Sequence, residues 1–256
     1  MVQVSRRAGF TGPALIRLLA RLGDTDVPES RQSFADRLSQ WLRWTDAIAL
    51  STALDGGLMA APAGARAASV GAEEAECLRV RTMLMNDIAE DFATPPGKVS
   101  RHAPALAPDA SMSASSAFAP YRRRYLTRQQ AMVTRIAPLR SRVRAALATR
   151  SPDMARLAAV DGVMEQALGA REHALLATVP TLLERHFARL RSAHDGERAA
   201  PAEGAAEPPE HVPGPSALPD GAWLDAFCQD MQGVLLAELD IRLQPVEGLL
   251  DALRMK

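Results

Sequence analysis

The stretch Pro120-Tyr-Arg-Arg-Arg-Tyr-Leu-Thr-Arg-Gln-Gln-Ala-Met-Val-Thr-Arg-Ile-Ala-Pro-Leu-Arg-Ser-Arg-Val-Arg-Ala-Ala-Leu-Ala-Thr149 decides the fold class. Tyr125, Met132, Leu139 and Ala146 recur every seven residues, and Gln129, Ile136 and Val143 form a second row between them. This spacing stacks side chains on one face of a helix, whereas a strand would alternate. Leu126, Val133 and Leu147 widen the seam. That width suits a coiled-coil-like bundle of three or more helices better than a two-stranded coil. Pro138 lies inside the segment and is expected to bend it.

Immediately downstream, Ser151-Pro152-Asp153 is a helix start signal. The helix it opens is expected to run to about residue 192 through Leu157, Val160, Met164, Leu168, Leu175, Val179, Leu182, His186 and Leu190, with a kink at Pro180. A tight turn near residue 150 folds the two helices into an antiparallel hairpin over 118–194. In that register Arg128 meets Glu172, Arg135 meets Glu165 and Arg142 meets Asp161. Exposed pairs of this kind contribute about 0–1 kcal/mol each, so they fix register more than stability.

The pairing matters because charge is segregated along a chain whose formal net charge is zero. Residues 110–152 carry nine arginines and no acid, while 153–256 carry 9 basic and 17 acidic groups. Self-pairing of the blocks is the simpler explanation, and outside partners are the other. The cluster Arg122, Arg123 and Arg124, flanked by Tyr121 and Tyr125, is the candidate basic patch if nucleic acid is a partner. The zero net charge and the lack of a recognisable nucleic-acid module count against that reading.

Working outward, the N-terminal helical region (1–92) reads as helices over about 13–22, 33–54 and 72–92. Pro13 and Gly23 bracket the first, and Ser33 with Asp36 imitates a capping box at the second. The C-terminal segment 220–256 reads as a helix capped by Asp220 and interrupted at Gln244–Pro245, packing back on the hairpin. Residues 56–72, 93–117 and the acidic 195–219 are rich in Pro, Ala, Gly or Ser, and are expected to be disordered linkers. The expected fold is therefore all-α: an elongated helical bundle built on a long antiparallel hairpin.

Motif chemistry is sparse. His102 and His211 lie in the linkers, and none of His173, His186 and His194 has a His, Cys or carboxylate four residues away in the manner of a helical zinc site, so no metal site is expected. Cys77 and Cys228 sit among apolar helical residues and read as buried reduced thiols. No phosphate-cradling glycine loop and no nucleophile elbow occur, so neither a cofactor nor a catalytic residue is assigned. No stretch has the length and apolarity of a spanning helix. Arg6 and Arg7 are not followed by an apolar signal region, and a cytoplasmic location is expected. Trp41 and Trp44, three apart on the second helix, are the candidate partner contact; the alternative packs both on the first helix.

The segment Arg31-Gln-Ser-Phe-Ala-Asp-Arg-Leu-Ser-Gln-Trp-Leu-Arg-Trp-Thr-Asp-Ala-Ile-Ala-Leu-Ser51, with Leu18-Leu-Ala-Arg-Leu22 and Val27-Pro-Glu-Ser30 before it, resembles the N-terminal signature of a family of uncharacterised proteobacterial proteins. The resemblance is strongest over 15–54 and implies no assigned activity, cofactor or catalytic residue. It implies a bacterial protein with an accessory role beside an envelope complex. The expected function is accordingly non-catalytic: protein–protein interaction or scaffolding, with unknown protein partners or a second copy bound through the helical seam. Nucleic-acid association through 120–150 is the rival, and an enzyme with an unrecognised helical site is the third reading.

Overall fold

The computed structural model describes residues 13–23, 32–55, 70–93, 113–199 and 221–255, and every regular element among them is a helix. The elements are α1 (Ala14–Gly23), α2 (Phe34–Trp41), α3 (Trp44–Leu54), α4 (Val70–Ala93), α5 (Ala114–Ala148), α6 (Pro152–Leu176), α7 (Val179–Ala199) and α8 (Ala222–Arg254). The fold is all-α. Most of the expected linker sequence, 56–69, 94–112 and 200–219, lies outside the described residues, as does the expected cap Asp220. At their edges, however, 70–72, 113–117 and 195–199 belong to helices or their caps, so the helices reach further than composition suggested.

α5 is the axis. Its two seam rows are buried, with Tyr125, Met132 and Val143 at 0% exposure. α4 runs antiparallel to it, as the pairing of Arg128 with Asp91 and of Arg142 with Glu73 requires. α8 runs antiparallel to α4, Arg254 meeting Glu74 and Arg81 meeting Glu247, and hence parallel to α5. The line α6–α7 returns along α5 and completes a four-sided bundle. α1 packs on α7 and α8, and α3 lies on α6.

Three helix limits differ from expectation. The segment 33–54 is two helices: Leu42 is extended, and the Arg43 N–H donates to Asp46 Oδ2 at 3.0 Å, restarting the helix as α3. Ser33 caps α2 as its spacing suggested, its Oγ accepting the Asp36 N–H at 3.1 Å. At Pro180 the chain breaks outright into α6 and α7, through Ala177 and Thr178. Conversely α8 is continuous through Pro245, with Gly221 (φ 147) at its N-terminal cap. One lost hydrogen bond at Pro245 is outweighed by burial of Leu243, Val246, Leu249 and Leu250, all at 4% exposure or less. α5 is likewise a single helix through Pro138.

Five of the chain's eleven aromatic residues meet at one end of the bundle. Phe118 and Tyr121 of α5, Phe187 of α7, and Trp223 and Phe227 of α8 stack with ring centroids 5.0–6.1 Å apart, mostly edge to face. Such pairs add about 0.5–1.5 kcal/mol beyond their burial. The opposite end is aliphatic, filled by residues such as Leu139, Leu147, Leu84 and Leu253.

Candidate functional site

The hairpin ion pairs form, but with different arginines. Asp161 accepts from Arg140 at 2.9 and 2.6 Å and from Arg144 at 3.2 Å, and Glu165 binds Arg144 as well. Glu172 faces Arg242 of α8 at 3.7 Å. The row Arg128, Arg135 and Arg142, expected opposite these acids, faces α4 instead: Arg128 holds Asp91 (2.6 Å) and Asp87 (3.3 Å), Arg142 holds Glu73 (2.7 Å), and Arg135 lies on Met83. The physical reason is rotational. α4 occupies that flank of α5, so the side turned toward α6 is the one carrying Arg140 and Arg144. Burial reinforces the α4 pairing, since Glu73 is only 5% exposed and a buried carboxylate needs a partner.

The arginine triplet does not act as one patch. Arg124 donates to the Asp91 carbonyl at 2.5 Å and lies over the Phe92 ring, at the C-terminal end of α4. Arg122 approaches Glu184 at 4.0 Å, and Arg123 is exposed. Tyr121 and Tyr125, which would be the stacking platforms, are 2% and 0% exposed.

The two tryptophans are separated by the α2–α3 break. Trp41 is half-buried under the Arg171 guanidinium of α6, 4.6 Å from its ring centroid. α1 itself sits on α7 and α8. Trp44 is 80% exposed, and Ile48 (52%) and Leu54 (58%) share its side of α3. Small or polar residues, Ala47 and Ser51, complete that face and are exposed too. Ala53 turns inward and is buried.

At mid-bundle lies a polar cluster that sequence reading missed. Glu238 of α8 is 0% exposed. Its carboxylate accepts from the Tyr125 hydroxyl at 2.5 Å, from Gln129 Nε2 at 3.0 Å and from Arg242 Nε at 2.9 Å. Burial, together with this carboxylate, drives the Tyr125 hydroxyl well above the ordinary phenol range. Gln129 also donates to the Leu176 carbonyl at 3.2 Å. That carbonyl ends α6, and its helical partner would be the N–H that Pro180 lacks. The amide thus repairs the break between α6 and α7 from across the bundle. Gln129 in an otherwise apolar seam row was the one available signal.

His186 lies at the α7–α8 contact, 9% exposed, with Nε2 2.9 Å from Asp230, which also binds Arg21 of α1 at 3.0 Å. Arg189 donates to the Leu22 carbonyl at the end of α1. Burial pushes Cys228 up to about 11 and raises Cys77, so both thiols stay protonated at neutral pH. Among the described residues no group of His, Cys, Asp and Glu is placed to hold a metal ion, and none of their helices is long and apolar enough to cross a membrane. His102 and His211 lie outside the described residues.

The described residues form an all-α bundle with a polar centre, a groove of about 310 Å³ between α5 and α6 walled by Met132, Ile136, Met164 and Leu168, and an exposed apolar helix face on α3. The chain matches, over residues 1–255, the family described as "Protein of unknown function (DUF3348)", and belongs to it. No curated protein and no solved structure matches it.

Proposed function

We propose that the protein is a non-catalytic interaction or accessory protein, acting in the cytoplasm of a bacterial cell, that engages a protein partner through the outer face of α3. The observation carrying this is Trp44 at 80% exposure, beside Ile48 and Leu54. A tryptophan buries more apolar surface than any other side chain. Left outside with two aliphatic neighbours, it has the composition of an interface anchor. A place beside an envelope complex rests on the family resemblance alone. Nucleic-acid binding has less support, because seven of the nine arginines in 110–152 face carboxylates, a carbonyl or a sulfur of the same chain.

The test is affinity capture by the tagged full chain from its native lysate, with and without nuclease, alongside the double variant Trp44→Ser, Ile48→Ser. A small nuclease-insensitive set of proteins that disappears with the variant supports the reading. Recovery dominated by nucleic acid and lost at high salt overturns it, as does a partner set indifferent to the variant.

A further inference from the structure

α3 turns a nearly uncharged side outward. Its exposed residues include Trp44, Ala47, Ile48, Ser51 and Leu54, and its one charged residue, Asp46, is 14% exposed and bound by the Arg43 N–H. The free charges stand at the two ends. At the N-terminal end, Arg43 is 81% exposed and touches Asp46 through Nε alone, at 3.4 Å. At the C-terminal end, Asp55 is exposed and meets no cation among the described residues, with Ser51 Oγ 3.5 Å from its carboxylate.

Residues equally far from the middle of this segment, at Ala49, complement one another. Trp44 mirrors Leu54, a ring against an aliphatic chain; Ala47 mirrors Ser51, both small; Arg43 mirrors Asp55, opposite in charge. A helix able to cover this face has to bring an anion for Arg43, a cation for Asp55 and an apolar centre between them. α3 itself carries that series when reversed by a two-fold axis. Each end then joins Arg43 of one copy to Asp55 of the other, and Trp44 lies against the other copy's Leu54. A parallel pairing would oppose like charges and like ends of the helix dipoles. The small residues at the middle let the two axes approach, so that Ile48 of each copy meets the other. With 11 residues, α3 is about 16 Å long, and the contact falls short of the roughly 800 Å² per partner of a standard interface. Such a dimer forms at micromolar rather than nanomolar concentration.

We propose that the partner bound at α3 is a second copy of this chain, the two α3 helices packed antiparallel about a two-fold axis beside residue 49. This rests on the reading of α3 as the contact face and commits that reading to one occupant.

The test is sedimentation equilibrium of the purified full chain from about 1 to about 100 μM, the range over which a micromolar dimer assembles. Trp44→Ser weakens the dimer about a hundredfold, because each dimer loses two anchors. Asp55→Arg and Arg43→Glu each weaken it about tenfold, since each sets like charges together at both ends. Mixing the Asp55→Arg and Arg43→Glu chains restores the parental affinity, because opposite charges meet again at both ends, and the rescue shows that each variant is folded. A dimer indifferent to Trp44→Ser, or a mixture no stronger than either charge variant alone, overturns the proposal. A chain that stays monomeric throughout also overturns it. Lysate partners that are then lost with Trp44→Ser, Ile48→Ser keep α3 as the contact face for a foreign protein, and partners indifferent to that variant bring down both readings.

Discussion

α6 and α7 are two halves of one amphipathic segment, and the bundle treats them differently. α7 sets Val179, Leu183 and Phe187 at 2%, 0% and 0% exposure, with Phe187 wedged among four other rings. α6 fully buries only Ala155, Ala158 and Leu176, leaves Leu157 and Leu175 exposed, and borders the groove. Both present apolar residues at helical spacing. What separates them is size: α6 turns mainly alanines inward, and at Gly162 and Gly169 nothing stands within 4 Å of where a Cβ would be, so the space beside them stays unfilled. Periodicity reports which face turns inward, and side-chain volume decides whether that face closes.

The largest test of this contrast compares Phe187→Ala with Leu168→Ala. Removing the ring from the packed half costs about 3–5 kcal/mol. Leu168 is half-buried on the groove wall, and its loss costs about 1 kcal/mol. Urea midpoints of the two variants measure the difference directly, and equal losses would refute the two-regime view.

Arg242→Leu follows, with a loss of about 3 kcal/mol, because Glu238 is left buried without its guanidinium. The double variant Arg242→Leu, Glu238→Leu recovers much of the loss, and urea unfolding of the two variants reads both effects. Gln129→Leu is milder, about 2 kcal/mol, since it strips one donor from Glu238 and a side-chain donor from the Leu176 carbonyl. Amide exchange should rise first at the α6–α7 junction.

The alkaline limb probes the buried hydroxyls and thiols together. Burial raises Cys228 from 9.0 to about 11 and lifts Tyr121 and Tyr125 still further. The folded chain keeps protons that the unfolded chain releases, so their stabilising effect is complete below about pH 9 and is lost as pH rises from about 9 through 11. The urea midpoint is flat near neutrality and falls across that window. Both tyrosines of the chain are buried, so the tyrosinate absorbance emerges with unfolding and not before it.

How much of this was readable beforehand follows the same division between face and volume. The seam of α5 was legible because Tyr125, Met132, Leu139 and Val143 repeat within one helix. Which flank of α5 each arginine would meet was not, because that depends on α4, α6 and α8 competing for one cylinder. Arg140 and Arg144 answer to Asp161, and Arg142 to Glu73 from a helix some 70 residues upstream. The break at Leu42–Arg43 contains no Pro or Gly, and it became visible only through the Asp46 cap. Of the site residues, Trp44 was legible as a candidate contact. The Glu238 cluster was not, because Tyr125 and Gln129 of α5 reach Glu238 of α8 from 109 residues or more away along the chain.

The smallest effect is also the most discriminating. Gly169→Ala adds one methyl where nothing lies within 4 Å, so no neighbour has to move. Removing the glycine entropy from the middle of α6 is worth about 1 kcal/mol in favour of folding. Gly233 of α8 is equally unobstructed, and Gly233→Ala is expected to gain a similar amount. The two variants are therefore expected to match in stability, and parallel urea titrations read both gains. Equal stabilisation means that neither helix holds its glycine for a packing reason and that the open half of the bundle admits the added methyl as freely as α8 does. A loss at Gly169 alone would refute the view of α6 as the unfilled half of the bundle.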